Sequence, residues 1–241
     1  MKAYKFLTEA GSGRFSDFRW PRPDGEEPGA WVDASGELEE CRHGVHACTP
    51  EQMLDWLDDE LWEVELGGKI LHQEARLVSE RARLVTRVHG WNARTAQEFA
   101  EVCVWRARTY AVASLRRSGL TGEAQRLVDA ADPGELQTRA VAASERAEGP
   151  AAELSAFAAD AVSLARGQRP ETWDAETAPL LEEPVSTPAA IAANLAFVAA
   201  HMAGRDAVAA GGADTAYDAA FADERRWQLT WLDERLGVRE P

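Results

Sequence analysis

The densest group of reactive side chains in the chain is Cys41-Arg42-His43-Gly44-Val45-His46-Ala47-Cys48. Its pattern, Cys-x-His-x-x-His-x-Cys, offers two thiols and two imidazoles, ligand types that suit Zn²⁺ or another transition metal. In an extended strand Cys41 and His43 face one way while His46 and Cys48 face the other, so one ion could gather all four only if Gly44 breaks the strand. Three readings therefore stay open. The four residues are a metal site, or a catalytic segment, or two small core cysteines beside packed histidines. In the catalytic reading an imidazole titrating near neutral pH moves a proton or holds an anionic substrate. His46 is then the acid/base or ligand, His43 orients the substrate and Arg42 helps to bind it. Thr49-Pro50-Glu51-Gln52 follows directly as a helix start, with Thr49 and Gln52 as a capping box and Pro50 where no amide donor is needed. A helix N-terminus at that point adds an environment favourable to anions.

A second set of candidates lies twenty residues on. Trp62, Val64 and Leu66 alternate with Glu63 and Glu65, as a half-buried strand requires. The two carboxylates then share one face about 7 Å apart. Such a pair either divides acid and base work or is a solvated strand face. Trp20 and Trp62 are candidate apolar walls for a substrate, within a set of tryptophans that also serves as core. The stretch Trp20 to Gly29 holds three prolines and two glycines, which fixes it as a loop. Together these residues place a site around His43, His46, the 20–29 loop and Glu63.

The elements that must position them divide near Trp91. Five of the nine tryptophans occur up to and including Trp91, among Gly-rich turns and short alternating runs, and long Ala-rich helical stretches follow. The pattern predicts an α+β protein, with an N-terminal mixed or antiparallel sheet in residues 1–90 and a C-terminal Ala-rich helical region in 91–241. Lys2 to Leu7 reads as the first strand and Trp31-Val32 as a short one. Gly67-Gly68 reads as a hairpin turn. Ala75-Arg76-Leu77-Val78 recurs as Ala82-Arg83-Leu84-Val85, which the β-branched run ending at Val88 favours as strands. Beyond Trp91, Thr95 with Glu98 predicts a helix cap, Asp132-Pro133-Gly134-Glu135 and Thr187-Pro188 open further helices, and residues 167–187, with Trp173, form a linker or lid. Ala213 to Leu236 closes the chain as a helix bearing Tyr217, Phe221, Trp227, Trp231 and Leu232, an aromatic stripe for docking onto the rest of the protein or for a homodimer interface.

Composition bounds the partners. The 241 residues carry 26 bases and 41 acids, a formal net charge of -15. Both halves are acidic, with 11 bases against 18 acids before residue 91 and 15 against 23 after it. Without a basic block, neither nucleic acid nor an anionic membrane is an expected partner. A small molecule or a protein partner is. No run approaches the roughly 20 apolar residues of a membrane span and no signal-peptide pattern opens the chain, so the expected location is the cytoplasm. Three cysteines are too few for a disulfide framework. No Gly-rich phosphate loop, Gly-x-Ser-x-Gly elbow or His-Glu-x-x-His helix is present, so no motif specifies a cofactor. The expected function is a small-molecule-modifying enzyme of bacterial specialised metabolism or nucleotide modification. The alternatives are an interaction module acting through acidic faces and the C-terminal helix, and a metal or haem protein.

At Trp20-Pro21, the Cys41 to Cys48 segment, Leu57 to Leu66 and Trp227 to Leu232, the chain resembles a family of uncharacterised actinobacterial proteins. The stretch Gly44-Val45-His46-Ala47-Cys48 before a short helix is similar to a domain of unknown function in phage-associated proteins. Tyr4-Lys5, then Gly44-x-His46, then Glu63 or Glu65 on a strand, resembles the strand order of ADP-ribosyltransferase-like folds, with Lys5 where that pattern has Arg or His and with no Ser-Thr-Ser segment.

Overall fold

The computed structural model describes residues 3–13, 16–34, 36–39, 43–170 and 187–238. Among these residues it is an α+β structure in which a five-stranded antiparallel sheet, with one short 3-10 helix between its strands, precedes six α-helices. Packing divides the chain into two compact units, Met1–Thr95 with Leu229–Pro241, and Ala96–Gln228. The sequence places the break at Trp91; the first unit also takes the end of the last helix.

In the first unit β1 (Ala3–Leu7) pairs with β4 (Glu60–His72), and β4 forms a long hairpin with β5 (Leu77–Arg87). The far edge of β5 takes β2 (Val32–Asp33) and β3 (Val45–Ala47). A backbone pair then joins Tyr4 of β1 to Cys48, just after β3, through two bonds of 2.8 Å. Strands β1, β4, β5 and β3 are thereby linked in a closed circuit, which satisfies strand-edge amides that water would otherwise have to reach.

Alternation along β1 sorts its residues by face. Ala3 and Leu7 enter a core with Trp20, Val45, Ala47, Trp62, Val64 and Leu84. On the opposite face the Tyr4 hydroxyl donates to the Val238 carbonyl at 2.8 Å, and Phe6 meets the edge of Trp91 at 5.9 Å. Glu60, which the sequence reads as the end of an acidic run, is instead the buried first residue of β4. It accepts from Trp62 Nε1 at 3.0 Å and pairs with Arg22 at 3.1 Å and Arg87 at 3.3 Å. Burying a carboxylate requires such partners.

The hairpin differs from expectation. Gly67 and Gly68 do not turn the chain; β4 runs through them with an irregular register between Gly67 and Ile70, and the reversal comes at Gln73–Arg76. Gly68 sits at φ +72° with Glu80 packed where a side chain would be, so glycine serves a bulge there. Both copies of the Ala-Arg-Leu-Val repeat border or lie within the single strand β5.

Helix α1 (Ala93–Arg117), most of which belongs to the second unit, begins earlier than the Thr95 signal, because Asn92 Oδ1 accepts the amides of Arg94 at 3.0 Å and Thr95 at 3.2 Å. After α2 (Thr121–Val128), Asp132 caps α3 (Pro133–Arg146) by accepting the Glu135 amide at 2.9 Å. Next come α4 (Gly149–Ala165), α5 (Pro188–Ala209), capped by Thr187, and α6 (Asp214–Leu236). Alanines dominate the buried faces of α4 and α5, so these helices approach closely. Of the expected 167–187 linker, residues 171–186, including Trp173, lie outside the described residues. No described helix is long and apolar enough to cross a membrane.

The C-terminal aromatic stripe is divided in use. Tyr217 and Phe221 stack against each other at 6.0 Å, and the Tyr217 hydroxyl meets His201 Nδ1 at 2.8 Å. Burial pushes the His201 imidazole below its ordinary range, the nearby Arg205 adding to the effect. Three residues beyond Phe221 lies the central polar contact of this unit. The Glu224 side chain is fully buried, accepts from Arg106 Nε at 3.1 and 3.0 Å and from Gln228 Nε2 at 3.3 Å, and also accepts from the Tyr110 hydroxyl. The Arg106 guanidinium lies 4.4 Å over the Trp227 ring. Removing the cation leaves a buried carboxylate uncompensated. Arg106→Met is therefore expected to lower the unfolding free energy by about 3 kcal/mol, measured as a fall in the urea midpoint. Arg126→Met, which breaks an exposed contact to Glu123, is the comparison and costs less than about 1 kcal/mol. Equal losses would show that Glu224 does not depend on its charge partner.

Candidate functional site

The site follows from how β1 and β3 part. At Tyr4–Cys48 the two segments are hydrogen-bonded neighbours. Beyond that pair β1 is held by β4, with Lys5 opposite Trp62 and Leu7 opposite Glu60. Its former neighbour is held by β5, with His46 opposite Val78 and Val45 opposite Ser79. Strands drawn to opposite partners separate, and a cleft opens between them. Across it the Lys5 side chain donates from Nζ to the His46 carbonyl at 2.7 Å.

Two lobes meet at this bridge, and Lys5, His46, Gly13, Ser16 and Gly44 line both. The larger, about 700 Å³, is walled by Tyr4, Phe6, Cys48, Asp55, Trp56 and Arg76. The smaller, about 290 Å³, is walled by Phe18, Trp20, Val32, Asp33, His43 and Val45. These sizes span the lower and middle range of small-molecule sites.

Local sequence rules build the larger lobe. Residues Pro50–Asp55 form a 3-10 helix, and the Thr49 amide donates to Gln52 Oε1 at 3.0 Å, one half of the expected capping box. The same Gln52 side chain donates to the Gln73 and Glu74 carbonyls at 2.8 and 3.0 Å, while Trp56 Nε1 donates to the Ala75 carbonyl at 2.7 Å. The hairpin turn is tied by these bonds to the helical segment. Arg76 is thereby placed 5.5 Å over the Trp56 ring. Gly44 supplies the opposite rim. Its φ is +143°, and a Cβ there would lie 2.2 Å from Val78 Cγ1, so only glycine lets the chain pass this close to β5.

Lys5 has the most distinctive environment. Its Nζ sits 4.8 Å over the Trp20 ring and donates to one carbonyl, and no carboxylate pairs with it among the described residues. Burial disfavours the ammonium and brings its pKa down to about 8 from 10.5, with the adjacent Cys48 acting weakly in the other direction. Burial likewise raises the Cys48 thiol above its ordinary range, and its Sγ donates to the Tyr4 carbonyl at 3.4 Å. Cys48 is thus a protonated core residue.

Of the residues expected to form a site, His46, His43 and Trp20 are brought together. His46 lines both lobes; His43 is exposed on the rim of the smaller one, where its backbone exchanges two 2.9 Å bonds with Glu39. Cys41 and Arg42 lie outside the described residues. Among the described residues no group of three or more His, Cys, Asp or Glu side chains is placed to hold a metal ion, and Cys41, one of the four ligands of the metal reading, lies outside them. Glu63 and Glu65 do not line either lobe: Glu63 lies opposite Tyr4 on β4, and Glu65 accepts from Arg83 Nε at 2.7 Å on an exposed face. Trp62 is buried and engaged with Glu60. Lys5, Arg76, Ser16 and Phe18 are the lining residues that residue spacing did not single out. For Lys5 the available signal was its position in the first strand beside Tyr4.

Comparison with protein-family models, with curated proteins and with solved structures finds no match in any of the three. The chemistry of the cleft therefore bears the functional argument.

Two expectations follow. Competitive acetylation read by mass spectrometry will give Lys5 a titration midpoint of about 8, with exposed Lys69 as the internal reference; a midpoint of 10 or above for Lys5 would contradict its placement in the cleft. Gly44→Ala will destabilise the protein by about 2 kcal/mol. Gly13→Ala, where an added methyl meets nothing within 4 Å, will leave the urea midpoint nearly unchanged.

Proposed function

We propose that the protein is a small-molecule-modifying enzyme whose substrate carries an anionic group held by Lys5 in the cleft between β1 and β3. The observation that carries this reading is the Lys5 ammonium. A cation taken from water is costly unless an opposite charge or several acceptors replace its hydration. Among the described residues Lys5 meets one carbonyl and an aromatic face, which leaves donors for a ligand. Arg76 on the wall of the larger lobe adds positive charge. The formal net charge of -15 disfavours non-specific binding of anions to the protein.

Roles follow from position. Lys5 fixes the anion and, with its pKa near 8, is able to give up or regain a proton near neutral pH. His46, lining both lobes, is the neighbouring imidazole for proton transfer; Trp20 and Trp56 exclude water. His43 at the rim orients the substrate. These assignments keep the expected histidines and replace the Glu63/Glu65 pair by Lys5.

The test has two parts. Inorganic phosphate is expected to raise the melting temperature of the full chain at pH 7, and the effect fades as pH rises through about 8, since a bound anion favours the ammonium and the neutral amine binds it poorly. Lys5→Met should weaken phosphate binding at least about tenfold while Lys5→Arg retains most of it. The small-molecule fraction of a bacterial extract is then incubated with each protein, and an anionic metabolite should be consumed by wild type and not by Lys5→Met. Identical phosphate responses in wild type and Lys5→Met would overturn the site, and identical metabolite profiles would overturn the enzymatic reading.

A further inference from the structure

We propose that the anionic ligand is a nucleotide, its phosphate on Lys5 and its base lying against Phe18 in the smaller lobe. This rests on the Lys5 anion site proposed above and names what else the ligand must carry.

The argument begins with an apolar side chain in an unusual place. Phe18 is 48% exposed, more than any other large hydrophobic residue described. Burying an aromatic ring is among the most favourable things a side chain can do, so a half-exposed Phe on a cleft wall leaves a face for another planar group. The ring is also held in place. Its centroid is 6.1 Å from that of Trp20 at an interplanar angle of 86°, and the Phe18 amide donates to Ser16 Oγ at 3.1 Å.

Trp20 connects this ring to the cation. The Trp20 indole carries the Lys5 ammonium 4.8 Å from its centroid and the Phe18 ring at its edge, so ammonium, indole and phenyl form one continuous strip along the lobe. A ligand lying along it meets positive charge at one end and an open aromatic face at the other. Phosphate matches the first, because an ammonium is a compact point charge that serves phosphate oxygens without a fixed fork. A base matches the second, because stacking on an aromatic side chain is available to every base.

Asp33 adds a polar group to the same lobe, and its side chain makes no hydrogen bond or ion pair with the other described residues. A carboxylate lining a lobe of about 290 Å³ accepts from the exocyclic amine of a base that enters it. The larger lobe, with His46, Asp55 and Arg76, is left for whatever the nucleotide is joined to or reacts with.

The experiment measures binding of adenosine 5′-monophosphate, ribose 5-phosphate and adenosine to the full chain by calorimetry, with Phe18→Ala and Lys5→Met as variants. Phe18 is half exposed, so its truncation leaves the fold intact, and a thermal melt checks this. Adenosine 5′-monophosphate is expected to bind at least about tenfold more tightly than ribose 5-phosphate. Phe18→Ala should remove that advantage and leave ribose 5-phosphate unchanged, and Lys5→Met should weaken both phosphates. If ribose 5-phosphate binds as well as adenosine 5′-monophosphate, or Phe18→Ala weakens both equally, the base subsite is wrong while the Lys5 anion site stands. If neither phosphate binds, or Lys5→Met binds them as wild type does, the anion site fails and the inference with it.

Discussion

The first unit depends on a single backbone pair. Tyr4 and Cys48 exchange two 2.8 Å bonds, and that exchange closes the circuit of strands β1, β4, β5 and β3. On one side of it the sheet is continuous and its interior is filled by Trp62, Val64, Leu77 and Leu84. On the other side the same strands are claimed by different neighbours and must diverge. The closed core and the open cleft are therefore two results of one pairing. Lys5 falls at the first position past the join, which is why an amine rather than an apolar side chain can occupy an inward position there: it reaches the His46 carbonyl across the gap.

Much of this architecture was legible. The 2.0 period at Trp62 to Leu66, the Thr49-Pro50 start and the Ala-rich helical runs each act within a few residues, and local rules capture local elements. Gly67-Gly68 misled because the same dipeptide serves a bulge when a long strand must twist, and nothing nearby reveals that β4 continues to His72. Asn92 rather than Thr95 caps α1, a choice made by which side chain reaches two amides at once.

The site was legible in part. His43, His46 and Trp20 stood out by residue type, and the smaller lobe brings them together. Lys5 did not, because a lone lysine in a first strand looks like an ordinary solvated residue until the strand across from it is known. Its character comes from a carbonyl 41 residues away and from Trp20, neither of which any spacing rule connects to it. The reverse error concerned Glu63 and Glu65. Alternation paired them correctly on paper, yet the register gives Glu65 to Arg83 on an exposed face. Glu60 shows the same limit, since an acidic run at the end of a helix and a carboxylate buried against Trp62 have identical local sequence.

The first unit is discontinuous in the chain. Its sheet ends at Arg87, yet Leu232, which is buried near the end of the last helix, and Val238, which follows that helix and accepts from the Tyr4 hydroxyl, also belong to the unit. During synthesis on the ribosome the strands that frame the cleft emerge well before the segment that completes their packing. A chain halted anywhere in the helical region would carry every residue of the cleft and still lack part of the support beneath β1. The Tyr4 hydroxyl therefore gains its acceptor only after the whole of the second unit has been translated.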